Sequence, residues 1–220
     1  MTDDTRSRIV FAAMELFWEK GFASTSIADV LKRSDANSGS LYHFFPGKQD
    51  LLLAVLQAYR SGIDEMLLQP AWGHVKDPIE RIFALLARYR ELVVQTECFY
   101  GCPIGSLALE LHEPDPSVRE LLAANFLAWT EAVQRCIVEA GERLRRVNSR
   151  ELAEFVLTTM EGAVMQSRTF RDVSYFDRSV TQLRAYFDLL AATAAAQPKT
   201  RDKTRRTHRR RQKTLTRRAR

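Results

Sequence analysis

Apolar positions recur at helical spacing along most of this chain. Ile9, Ala12, Ala13, Leu16 and Phe17 fall at i, i+3, i+4, i+7 and i+8, one stripe of an amphipathic helix. Gly21 follows Lys20 and supplies a C-terminal stop, since glycine accepts the left-handed conformation that ends helices. Ser26 stands three residues before Asp29, a capping-box spacing, with Ile27, Val30 and Leu31 as the stripe behind it. Asn37 is the next N-cap candidate and opens a segment over residues 38–44 that Pro46 and Gly47 close. Leu51, Leu52, Val55, Leu56 and Tyr59 begin a longer helix running toward Pro70.

Longer units follow. Asp77-Pro78-Ile79-Glu80 combines an N-cap, a proline at the first helical position and an acid in the first turn. Asp115-Pro116 opens a helix through Val118, Leu121, Leu122, Asn125 and Trp129, stopping near Gly141. Asn148 with Glu151 starts another, and a last one carries Phe176, Val180, Leu183, Phe187 and Leu190. No stretch alternates like a strand between hairpin turns. The pattern predicts an all-α fold of about nine helices. It divides into a helix-turn-helix domain over 1–47, a helical bundle over 48–197, and a segment 198–220 too poor in apolar residues to order itself, hence disordered.

Charge sharpens this division. The formal net charge is +6, yet residues 199–220 hold twelve Lys and Arg against Asp202 alone. The preceding 198 residues carry 21 Lys and Arg against 26 Asp and Glu, an acidic globule with a cationic tail. At 45% hydrophobic the chain has material for a core. The start, MTDDTRSR, lacks the apolar run of a signal peptide. The most apolar late stretch, residues 185–196, is too short to span a bilayer. Three cysteines, Cys98, Cys102 and Cys136, suit a reducing compartment, which points to a cytoplasmic protein with no membrane partner. A nucleotide-binding glycine loop, a nucleophile elbow and a metal-ligand cluster are all missing, so neither an enzyme nor a cofactor or metal site is expected. Cys98-x3-Cys102 has no companion ligands, and Cys102 is expected to pack at a helix start.

The first three helices, the last two joined at Ser34-Asp35-Ala36, describe a helix-turn-helix unit whose final helix presents its N-terminal residues to a major groove. Leu41 and Phe44 share its inward face, leaving Ser38, Gly39, Ser40, Tyr42 and His43 for double-stranded DNA. Small residues permit close approach, while the hydroxyls and the imidazole suit phosphate oxygens. Lys48, at the start of the next helix, offers a second phosphate contact.

Several blocks, Arg8-Ile9 through Ala13, Gly21-Phe22, Thr25-Ser26-Ile27, Asp29-Val30, Gly39 through Lys48 and Leu51-Leu52, together resemble the N-terminal domain of TetR-type repressors across residues 6–56. The segment Gly101-Cys102-Pro103-Ile104-Gly105-Ser106-Leu107-Ala108-Leu109-Glu110 is similar to the LmrA/YxaF-like branch of that family. The resemblance adds Thr25 and Ser26 to the DNA-contact set. It implies a homodimer on a palindromic operator, released by a small-molecule effector, with the last two helices as the dimer interface. Two departures stand out: Asp35 where glycine is usual at the turn, and Ser38 where a cation often precedes Gly39. Asp tolerates the left-handed region better than most side chains. Without a cation on the recognition helix, half-site affinity should be modest.

An effector would be apolar or aromatic and would bind inside the bundle, where pockets between helices form. Candidate wall residues are Tyr89, Phe99, Cys102, Asn125, Phe126, Trp129, Met160 and Met165. Asn125, polar on an apolar stripe, is either a ligand hydrogen-bonder or a buried amide satisfied by the fold. The alternative class is an architectural protein that binds DNA without sequence preference through its tail.

Overall fold

The capping signals close where the sequence puts them. In the computed structural model, which describes residues 2–196, the order is α1 Thr2–Lys20, α2 Ile27–Ser34, α3 Ser38–Phe44, α4 Lys48–Ile63, α5 Gln69–Trp72, α6 Pro78–Gln95, α7 Pro103–Glu110, α8 Pro116–Glu139, α9 Ser149–Phe170 and α10 Ser174–Ala196. Among the described residues there is no strand. Ser26 and Asp29 form the reciprocal capping box on α2. Asn37 Oδ1 accepts the Ser40 N–H at 2.8 Å on α3. Asp77, Asp115 and Asn148 accept first-turn N–H groups on α6, α8 and α9. Asp35 adopts φ 50° and ψ 43°, so the turn survives without glycine.

One boundary differs from expectation. The helix that runs toward Pro70 does not stop before it: a π-helical turn at Asp64–Leu68 joins α4 to α5, which contains Pro70. The wider turn offers a register in which the missing proline N–H interrupts the ladder less, so the helical path continues past Pro70 instead of ending.

Two buried clusters organise the molecule. The first joins Ile9, Leu16 and Phe17 of α1, Val30 of α2 and Leu41 of α3 to Leu51, Leu52, Val55 and Leu56 of α4. It continues into Cys102, Ile104 and Leu107 at α7 and Val118 and Leu122 of α8. The second fills the bundle of α6, α8, α9 and α10 around Ile82, Leu86, Val133, Met160, Phe176 and Phe187. Packing runs across residue 47, where the sequence suggests a boundary, because α4, α7 and α8 help complete the core under the helix-turn-helix unit. The basic segment expected to be disordered lies outside the described residues.

Candidate nucleic-acid interface and ligand cavity

Local interactions fix the pose of α3. Leu41, fully buried, and Phe45 anchor it in the first core, while Phe44 is half-buried with the His43 ring against it at 5.0 Å. Ser38, Gly39, Tyr42 and His43 are exposed and Ser40 is half-buried, so the face predicted to meet DNA is the open one. A Cβ on Gly39 would come within 3.3 Å of Asn37 Oδ1, so the glycine also leaves room for the cap. Arg33 of α2 pairs with Glu19 and Glu15 of α1, both at 3.0 Å, and those two carboxylates raise its pKa.

Thr25 and Ser26 are engaged within the fold. Thr25 is buried, its hydroxyl donating to the Gly21 carbonyl at 2.7 Å and the Leu16 carbonyl at 3.2 Å. The Ser26 hydroxyl donates to Asp29 and accepts its N–H. The Ser26 backbone and hydroxyl donors hold Asp29 below the usual carboxylate range. Lys48 follows Gly47, an N-cap with no side-chain partner for the first N–H groups of α4. Its ammonium lies 4.3 Å from the Phe22 ring centroid and 3.4 Å from the Ala23 carbonyl. Desolvation lowers its pKa, while Glu110 opposes the shift.

Glu110, at the end of α7, accepts the N–H groups of Phe22 at 2.9 Å and Ala23 at 2.6 Å, clamping the α1–α2 turn. Trp18 of α1 donates its indole N–H to the Gly101 carbonyl at 2.7 Å, just before α7. Both contacts tie the helix-turn-helix unit to the 101–110 segment.

The other end of that segment borders a cavity of about 160 Å³, similar to an apolar cavity that holds a benzene-sized molecule. Cys102, Pro103 and Ile104 line it with Tyr59 and Ile63 of α4, Tyr89 and Leu92 of α6, Asn125, Phe126 and Trp129 of α8, and Leu157 and Glu161 of α9. Asn125 donates through Nδ2 to the Leu56 carbonyl at 3.0 Å and the Leu121 carbonyl at 2.9 Å. Among the described residues, Trp129 Nε1 and Glu161 Oε1 are buried without a hydrogen-bond partner. The Tyr89 hydroxyl comes near the Trp129 indole without meeting the geometry of a hydrogen bond. Burial raises the Glu161 pKa, and the Cys102 thiol beside it opposes that shift. Burial first, then Glu161, drives the Cys102 thiol well above its usual value, the opposite of a reactive thiolate. Burial likewise raises Tyr59 and Tyr89. Gly105 makes the arrangement possible, since a Cβ there would collide with Glu161 Oε2.

The structure therefore brings Tyr89, Cys102, Asn125, Phe126 and Trp129 together around one cavity. It places three predicted wall residues elsewhere. Met160 is buried in the second core, away from the cavity, because its stripe position faces the other bundle helices. Phe99 and Met165 are exposed, Phe99 lying under the Arg171 guanidinium at 4.0 Å. Sequence reasoning missed Glu161 and Tyr59, and it quoted Glu110 without giving it a role. A glutamate on a long amphipathic helix carries no signal of burial, and the vacant space at Gly105 that admits Glu161 is a pairing across 56 residues. Among the described residues no cluster could hold a metal ion, and no helix is long and apolar enough to cross a membrane.

Comparison with known proteins matches this two-part build. Residues 9–55 match the model for bacterial regulatory proteins of the tetR family, and residues 78–182 match that of the LmrA/YxaF-like transcriptional regulator C-terminal domain. The chain is 31% identical over 170 residues to the HTH-type transcriptional regulator YxaF of Bacillus subtilis, covering 77% of this chain and 87% of that protein. It is 26% identical to the HTH-type transcriptional repressor DhaR of a Mycobacterium species, covering 80% of this chain and 88% of that one. The crystal structure of a TetR regulatory protein from Rhodobacter sphaeroides superposes with a TM-score of 0.73 at 23% identity, over 80% of this chain and 95% of that one. The chain belongs to the TetR family of helix-turn-helix transcriptional regulators, with a C-terminal domain of the LmrA/YxaF-like type.

Proposed function

We propose that the protein is a repressor whose homodimer holds a palindromic operator and lets go when a small apolar or aromatic molecule fills the cavity. The observation that carries this is the double link between the two ends. Helix α4 has Lys48 at the DNA end and Tyr59 and Ile63 on the cavity wall, a span of roughly 17 Å at helical rise. Segment 101–110 borders the cavity at Cys102 and Ile104 and clamps the α1–α2 turn through Glu110. A ligand that displaces either helix re-aims α3, and by linkage the ligand and DNA then weaken each other's binding equally. DNA contacts are assigned to Ser38, Gly39, Ser40, Tyr42, His43 and Lys48. Thr25 and Ser26 serve instead to hold the α1–α2 turn and the α2 cap.

The dimer surface is assigned to α9 and α10. Phe155, Tyr186 and Leu189 are exposed there, and nothing lies within 4 Å of a Cβ built on Gly162, which leaves room for close approach of a second copy. In the dimer two copies of α3 occupy successive major grooves.

Selecting duplexes from a random pool with the full chain should yield a palindromic sequence that small aromatic molecules release. Removing residues 199–220 should lower affinity about a hundredfold at low salt while the sequence preference persists. Loss of all binding on that truncation would favour the architectural class instead.

A further inference from the structure

We propose that the cavity takes a small arylalkyl amine, a ring with a protonatable amine on a short alkyl arm, bound as its ammonium ion with Glu161 as the counter-charge. This rests on the effector role given to the cavity above and names the chemistry it selects. Among the residues lining the cavity there is no Lys, Arg or His, so Glu161 is its single acidic or basic side chain. Among the described residues its Oε1 is buried with no hydrogen-bond donor, and the neighbour that bonds the carboxylate is the weakly polar Cys102 thiol. A buried carboxylate left unpaired is destabilising, and an ammonium group supplies both the charge and the missing N–H donors. Asn125 commits both amide donors to backbone carbonyls, so what it has left for a ligand is its carbonyl oxygen, again an acceptor.

The walls suit the remainder of such a ligand. Tyr59, Tyr89, Phe126 and Trp129 line the space, and aromatic rings attract a cation and pack against a ring. The volume, about 160 Å³, admits one ring with a short substituent. Trp129 Nε1, the other orphan, favours amines that also carry an oxygen acceptor. Carboxylic acids of the same size would meet a like charge and no countercharge.

Three probes of matched size separate these terms in the full chain: benzylamine, benzyl alcohol and benzoate, titrated by calorimetry. Benzylamine should bind at least about tenfold more tightly than benzyl alcohol, with benzoate weakest. Glu161→Gln should abolish the preference for benzylamine over benzyl alcohol. The ratio in the unmodified chain stands as a test even if that variant folds poorly. Benzyl alcohol binding as tightly as benzylamine, a preference that survives Glu161→Gln, or no binding of any probe would each overturn the proposal. Operator release separates the two ideas. If benzylamine binds through Glu161 and leaves operator DNA bound, the effector role fails and the ligand class stands. If benzyl alcohol or benzoate releases the operator at lower concentration than benzylamine, the ligand class fails and the effector role stands.

Discussion

In the helix-turn-helix head, the caps and the Thr25 hydroxyl find partners close by in sequence, although Trp18 and the α1–α2 turn also reach the 101–110 segment. Ser26 pairs with Asp29, Asn37 with Ser40, and the Thr25 hydroxyl with the carbonyls of Leu16 and Gly21. In the cavity the pairing is distant or incomplete. Asn125 reaches the Leu56 carbonyl, 69 residues away, besides the Leu121 carbonyl one turn back, and among the described residues Trp129 Nε1 and Glu161 Oε1 have no partner. The head is built to hold one shape, whereas the cavity keeps polar capacity in reserve inside an apolar setting. That contrast fits a molecule with a rigid reader and an adjustable core, joined through Glu110 and α4.

The contrast can be broken most forcefully at the head. Leu41 is fully buried at the base of α3, so Leu41→Ala should cost about 2–5 kcal/mol of stability, read from denaturant unfolding. An unchanged midpoint would mean that α3 is not anchored as described. The link comes next. Glu110→Ala leaves two backbone N–H groups without their acceptor and should cost about 1–3 kcal/mol. It should also blunt operator release by any cavity ligand, so full release in this variant would show that coupling runs through α4 alone.

The smallest effect lies in the cavity and has a characteristic pH dependence. Burial raises the Glu161 pKa above its ordinary 4.5, so the folded state holds this proton more tightly than the unfolded chain. Stability therefore declines as pH rises from that value through the folded pKa, where the unpaired charge forms. Glu161→Gln should recover on the order of 1 kcal/mol at mildly alkaline pH, with the gain fading as pH falls toward 4.5. A gain independent of pH would mean that the carboxylate is not charged and unpaired inside the cavity.

Much of the head was legible because its determinants are local. A cap, a turn and a helical stripe each span only a few residues, so Ser26, Asn37, Asp35 and Leu41 could be placed from spacing alone. The cavity wall was legible only where an aromatic or polar residue interrupted a stripe in a telling way, as at Asn125 and Trp129. Stripe position could not tell which of several bundle neighbours a residue would face. Met160 therefore went to the neighbouring core, and Phe99 and Met165 to the surface.

The sequence by itself determined the helices, their caps, the helix-turn-helix geometry and the charge division between globule and tail, since these depend on neighbours within a few turns. Only the tertiary structure decided that Glu161 lines the cavity in the space Gly105 leaves, and that Glu110 closes on the α1–α2 turn. Those contacts cross 56 and nearly 90 residues, and their energy comes from burial and donor–acceptor geometry that exist once the helices have packed.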